Sequence, residues 1–172
     1  MSTAQYALNL GLLLYILATN LGTRPVTKRR MLLPVVLVAV AAGFFLRDVP
    51  TSGNDGTLEL LGIAVGAVLG VVAGLLVRVR QGADGRLHTE AGAPYAFLWV
   101  IVIGGRVLFA YGADHWFSRD IAAFSVEHQI TGAGAWTAAF VLMALTMVLA
   151  RVAVTATLAA RSVRLDRTAV AA

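Results

Sequence analysis

The sequence predicts an all-α fold, a polytopic membrane bundle of about five helices, and three observations carry that prediction. The chain has 172 residues, 59% hydrophobic and 13% charged, with a mean hydropathy of +0.80. A soluble domain of this length is nearer half apolar and a quarter charged. The apolar residues are gathered into blocks separated by short polar stretches, as membrane spans require. Inside one block Gly62, Gly66, Gly70 and Gly74 recur at every fourth position. That spacing strips one stripe of a helix to bare backbone, so a neighbouring helix can approach closely.

The five blocks lie near residues 6–21, 31–46, 58–77, 95–112 and 134–150 of a single integral membrane domain covering 1–172. The first carries Asn9, Thr19 and Asn20, groups suited to hydrogen bonds between helices. It follows MSTAQYALNLG, which lacks the basic leader region and small-residue cleavage site of a signal peptide, so it is read as retained. The second block places Pro34 in its first turn, where a missing N–H costs little. Both are short for a span, a mismatch that bilayer thinning or snorkelling side chains accommodate. The third, Leu58 to Val77, holds the glycine ladder and has no charge after Glu59. The fourth, Tyr95 to Gly112, contains Gly104, Gly105 and Arg106. The fifth ends near Ala150 or continues as helix toward Ala160.

Between the last two blocks runs DHWFSRDIAAFSVEHQIT, residues 114–131, too polar to cross. Trp116, Phe117, Ile121, Phe124 and Val126 punctuate it irregularly. Two readings stand: a helix lying in the outer interface with its aromatics at headgroup level, or an ordinary connecting loop.

Five spans place the connecting segments alternately on two sides. One side collects Arg24, Lys28, Arg29, Arg30, Arg78, Arg80, Arg86, Arg151, Arg161, Arg164 and Arg167. The other holds Arg47 and Arg119, together with Asp48, Asp55, Asp114, Asp120 and Glu127. Basic segments stay in the cytoplasm, which puts the N-terminus outside and the C-terminus inside. Arginine outnumbers lysine, and Ala, Val and Gly abound, a GC-rich bacterial composition that points to the plasma (inner) membrane. The net charge of +5 is explained by this topology without a nucleic-acid partner.

The absence of cysteine rules out disulfides, thiolate metal sites and a thiol relay within the chain. No phosphate loop or dinucleotide fingerprint occurs, and no Ser–His–Asp set is recognisable. His115 and His128 lie near Asp114, Asp120 and Glu127 without metal-ligand spacing. No metal site and no catalytic residue is assigned, and no motif names a cofactor. Five spans do not divide into the paired halves of a secondary transporter.

Arg106 lies deep in the fourth block, where a charge costs roughly 2.5–3.5 kcal/mol near a helix centre. It stands about 9 Å from the outer end at 1.5 Å per residue, within reach of Glu59 and Asn9 near the outer ends of their blocks. It is read either as a structural ion pair or as a site for an anion or headgroup, since its planar fork suits carboxylate and phosphate. Gly104 and Gly105 beside it would admit another backbone. The ladder Gly62, Gly66, Gly70 and Gly74 serves helix packing within the subunit or, alternatively, a seam between two copies. Its stripe drifts about 40° per step, so a partner helix must cross at an angle to follow it.

Three stretches resemble the CcdC-like family of small bacterial membrane proteins. They are RRMLLP at Arg29–Pro34, the glycine-stepped LGIAVGAVLGVVAGLLVRVR ending at Arg78 and Arg80, and YAFLWVIVIGGRVLF with Trp99 and Arg106. The resemblance implies a multi-span protein associated by name with cytochrome c biogenesis, of no established activity, and draws attention to Arg78 and Arg106. Any tie to thiol chemistry would then run through a partner.

The leading expectation is a non-enzymatic helix-packing or accessory subunit in the lipid bilayer, with a second copy or another membrane protein as partner. The alternatives are a binding or transport component with an outward-facing polar pocket at Arg106, Glu59 and Asn9, and an interfacial enzyme using the outer histidines and acids.

Overall fold

The computed structural model describes residues 11, 18, 21–45, 52–82 and 87–170. In chain order these form β1 (Gly22–Pro25), α1 (Lys28–Phe45), α2 (Asp55–Leu75), β2 (Val77–Gln81), β3 (Leu87–Ala91), α3 (Ala93–His115), α4 (Ser118–Glu127) and α5 (Ala133–Val170). The first predicted span, with Asn9, lies outside the described residues.

Among the described residues three helices are long and apolar enough to cross a membrane: α2, α3 and α5 over Ala133–Ser162. Their apolar residues face outward in quantity. Leu60, Leu61, Val68 and Leu75 on α2, and Phe97, Ile101 and Leu108 on α3, are all exposed. Such an apolar surface needs lipid or protein around it, so the chain is membrane-associated. The second predicted span falls on the 18-residue α1, in which the basic Lys28, Arg29 and Arg30 precede the apolar run. α1 begins three residues ahead of the predicted block, so Pro34 falls inside the helix, where the N–H lost at Pro34 would have bonded Arg30.

The all-α expectation needs correction at the polar segments. β1, β3 and β2 form an antiparallel three-stranded sheet in that spatial order. β3 is central, pairing Gly22 with Ala91 on one side and Val77 with Ala91 on the other. Val77-Arg78-Val79-Arg80 alternates apolar and basic residues, the period of a half-buried strand. Val77 is accordingly buried on the sheet and does not end the preceding helix. Pro25 sits on an edge strand, where its missing donor is tolerated. Thr89 Oγ1 donates to the Arg24 carbonyl at 3.2 Å and ties β1 to β3.

α2 and α5 lie against each other backbone to backbone. A Cβ placed on Gly62 would stand 2.5 Å from Ala139 O, on Gly66 2.2 Å from Met143 O, and on Gly70 2.3 Å from Met147 O. On Gly74 it would meet the Val154 side chain at 2.6 Å and Arg151 O at 3.2 Å. Each step of four along α2 meets a step of four along α5, so the two helices run parallel and in register. Rows at i and i+4 engage on both, the pattern of the close right-handed crossings that glycine permits. Cα–H groups facing carbonyls contribute about 0.5–1 kcal/mol each in such interfaces.

α3 joins this pair through side chains. Tyr95, Trp99 and Ile103, spaced by four on one face, bury themselves against Ala73 of α2, Met147 of α5 and Val77 and Ala91 of the sheet. Pro94 opens the helix after Gly92, in the position where its lost donor is harmless.

The segment 114–131 contains a helix, α4, which settles helix against loop for its middle. Gly112, Phe117 and Trp136 seat it. The Phe117 ring fills the space where a Gly112 side chain would be, and Trp136 Nε1 donates to Ser125 Oγ at 3.2 Å. Val126 and Trp116 remain exposed at 80% and 64%. α5 runs well past Ala150, so Arg151, counted above as a flanking charge, is part of the helix.

Candidate functional site

All of the predicted site residues but Asn9 can be placed on these elements. Gly62, Gly66, Gly70 and Gly74 line the α2–α5 contact, and all of that face is taken by α5 of the same chain. Gly104 and Gly105 are different: nothing lies within 4 Å of a Cβ added to either. Both are exposed on α3 beside Ile101 and Leu108. No described backbone approaches them.

Arg106, on the next position of α3, is half-buried. The only ion pair among the described residues is Arg80 Nε with Glu90 Oε2 at 3.7 Å, so Arg106 and Glu59 are not brought together. Glu59 is half-buried on α2, and its Oε1 is buried without a hydrogen-bond partner among the described residues. Asn9, the third member of the expected pocket, lies outside the described residues.

One turn before Glu59, Asp55 is fully buried. Its Oδ1 accepts from the Thr131 backbone N–H at 2.8 Å and its Oδ2 from the Thr131 hydroxyl. Asn54 N donates to Gln129 O at 3.0 Å. Gly53 and Gln129, both at positive φ of 57° and 55°, turn the two chains toward each other. A carboxylate at the start of a helix is favoured by the helix dipole, and with both oxygens bonded its burial is compensated. This clasp fixes the α2 N-terminus to the segment leading into α5, at the end where the glycine contact begins.

The outer histidines are held locally. His115 stacks on Tyr111 with centroids 4.2 Å apart and its Nδ1 donates to Tyr111 O at 3.0 Å. His128 stacks on Phe124 at 4.0 Å and its Nδ1 donates to Phe124 O at 3.0 Å. Among the described residues no three His, Asp or Glu side chains converge in a metal-holding group. Phe109 packs against Phe117, Trp136 and Phe140 at 6.0, 5.3 and 5.1 Å, building an aromatic wedge between α3 and α5 near this end.

The other end of the α3–α5 gap holds a polar centre that sequence reasoning missed. The Arg151 guanidinium lies over the Tyr95 ring, 5.0 Å from its centroid, a cation–π contact that gains strength with desolvation. Tyr95 is fully buried and Trp99 is 5% exposed. The Tyr95 hydroxyl and Trp99 Nε1 are both buried and lack a hydrogen-bond partner among the described residues. Buried donors left unpaired cost about 1–3 kcal/mol each, and an ordered water is the usual remedy. The signal was present as Tyr95, Trp99 and Ile103 at i, i+4 and i+8, with one arginine spaced to meet it.

No protein-family model, no curated protein and no solved structure matches this chain.

Proposed function

We propose that the chain is a multi-pass protein of the bacterial plasma membrane, working as a non-catalytic accessory subunit that packs against another membrane helix. The sheet end lies in the cytoplasm on this reading, which gives Arg24, Arg78, Arg80 and Arg161 to the inner surface and Asp55, Asp114, Asp120 and Glu127 to the outer. The segregation of basic from acidic residues supports that orientation. The resemblance to the CcdC-like family, with Arg78 and Arg106 as its positions of interest, fits the same reading.

One observation carries the packing role. The glycine face of α2 is filled by α5, whereas Gly104 and Gly105 on α3 stay open and are flanked by exposed Ile101 and Leu108. Small residues bordered by branched or long apolar ones form the faces on which membrane helices associate. The partner is a second copy of this chain or another membrane subunit.

A cysteine-free sequence makes the test clean. Gly105→Cys, oxidised in membranes, is expected to give a disulfide-linked dimer, or a mixed adduct to a partner carrying its own cysteine. Gly43→Cys on α1, also in open space, serves as the control. No adduct at position 105 above that control would overturn the packing role. The alternative is the pocket reading, for which the buried Glu59 Oε1 and the half-buried Arg106 are the candidate groups. That reading gains if an anion or lipid stabilises the wild type and not Arg106→Gln.

A further inference from the structure

The sheet and the far part of α5 flank an open surface groove that the packing role leaves unused. It has a volume of about 390 Å³ and is bounded by Arg78, Val79 and Arg80 of β2 and by Leu158, Arg161 and Ser162 of α5. β2 is an edge strand of the sheet, and among the described residues its outer edge makes no main-chain hydrogen bond outside the ladder. Arg78 and Arg80, two residues apart on the strand, share one face and are exposed, as is Arg161. Three guanidinium groups from two separate elements therefore border one concavity. Among the described residues the acid paired with any of them is Glu90, 3.7 Å from Arg80, so the described lining of the groove is positively charged. Its lining also takes in the apolar side chains of Val77, Val79 and Leu158.

We infer that this groove binds the phosphate headgroup of an anionic phospholipid. Guanidinium forks match phosphate oxygens bidentately, and basic pockets at the ends of membrane helices are where headgroups are held. The α5 residues of the groove, Leu158, Arg161 and Ser162, lie roughly 38–44 Å along the helix from the start of the candidate span at Ala133 at 1.5 Å per residue, beyond a hydrocarbon core of about 30 Å and so at the depth of the headgroup layer. The apolar side chains suit the glycerol backbone and first acyl carbons. A free anion would use the arginines but not these side chains. The inference rests on α5 spanning the membrane and is independent of whether α3 has a partner.

The test uses the full chain in nanodiscs of phosphatidylcholine alone or with phosphatidylglycerol added, read by thermal unfolding and by native mass spectrometry of retained lipid. Phosphatidylglycerol is expected to raise the melting temperature and to remain bound. In Arg78→Gln/Arg161→Gln the affinity is expected to fall about thirtyfold, from about 1 kcal/mol per arginine. Arg119→Gln, on α4 at the opposite end, should behave as wild type. Equal retention by the double variant would overturn the site. So would inorganic phosphate or glycerol phosphate stabilising the protein as well as the lipid does, since that outcome assigns the groove to a soluble anion. If the double variant does not fold, loss of retained phosphatidylglycerol from the wild type in high salt replaces it, and salt-insensitive retention sinks the proposal. Carbonate extraction of native membranes separates the two readings. Release of the protein defeats the spanning of α5, whereas a protein that stays inserted and ignores phosphatidylglycerol defeats the groove alone.

Discussion

The two sides of α5 are built on opposite plans. Toward α2 it meets glycine at every fourth position, with main chain facing main chain at Gly62, Gly66 and Gly70 and the Val154 side chain at Gly74. Toward α3 it meets rings: Tyr95 and Trp99 near the sheet, Phe109 with Trp136 and Phe140 near α4. The first contact has no room for a single added methyl group and no polar side chain to satisfy. The second is held apart by large side chains and contains a guanidinium and two unpaired buried donors. In lipid, where apolar burial gives helices little reason to associate, close van der Waals packing decides which pair is fixed. The comparison therefore identifies α2 with α5 as the rigid pair and the α3 side as the adaptable one.

The largest expected effect comes from breaking the fixed pair. Gly66→Ala drives a methyl group into Met143 O, a main-chain atom that cannot rotate away, and is expected to cost about 1–3 kcal/mol or more, measured by unfolding in mixed micelles. Gly74→Ala meets the Val154 side chain first, and its smaller loss would confirm that backbone contact sets the penalty. Next comes the clasp that aligns the pair: Asp55→Ala leaves Thr131 without its acceptor and should cost about 1–3 kcal/mol in the same assay.

The glycine spacing was legible because it is a local pattern with one physical meaning. The Asp55–Thr131 clasp was not, since its partners are 76 residues apart and Asp55 reads as an ordinary polar flank. The sheet was hidden by length. Five-residue strands such as Val77–Gln81 and Leu87–Ala91 resemble any polar connection once the flanking blocks have been assigned to the membrane. Yet the alternation Val-Arg-Val-Arg and the turn residues Gly82, Asp84 and Gly85 were there to be read. Arg151 was read as a flanking basic residue, with the helix left free to continue toward Ala160, and its contact with an aromatic ring was not foreseen. In the structure its charge rests on Tyr95 within the helix. Gly104 and Gly105 were expected to admit a neighbouring backbone, and no described one takes that place, because they lie on the face of α3 turned away from the buried Tyr95, Trp99 and Ile103.

On the adaptable side the expected effects are smaller and of mixed sign. Arg151→Gln removes the cation from the Tyr95 face and should lower stability by about 0.5–2 kcal/mol, with the near-ultraviolet dichroism of Tyr95 and Trp99 changing in parallel. Tyr95→Phe deletes a buried hydroxyl that has no partner among the described residues and is expected to be neutral or slightly stabilising in thermal unfolding. A large loss there would mean that the hydroxyl holds something, such as a water or a ligand.

The most direct test of the contrast is one assay on two variants, Gly66→Ala and Gly105→Ala, each adding one methyl group to a glycine of a helix long and apolar enough to cross a membrane. The account predicts a clear drop in melting temperature for Gly66→Ala. For Gly105→Ala it predicts no loss, or a gain of up to about 1 kcal/mol from helix propensity. Equal losses at both positions, or tolerance of alanine at position 66, would contradict it.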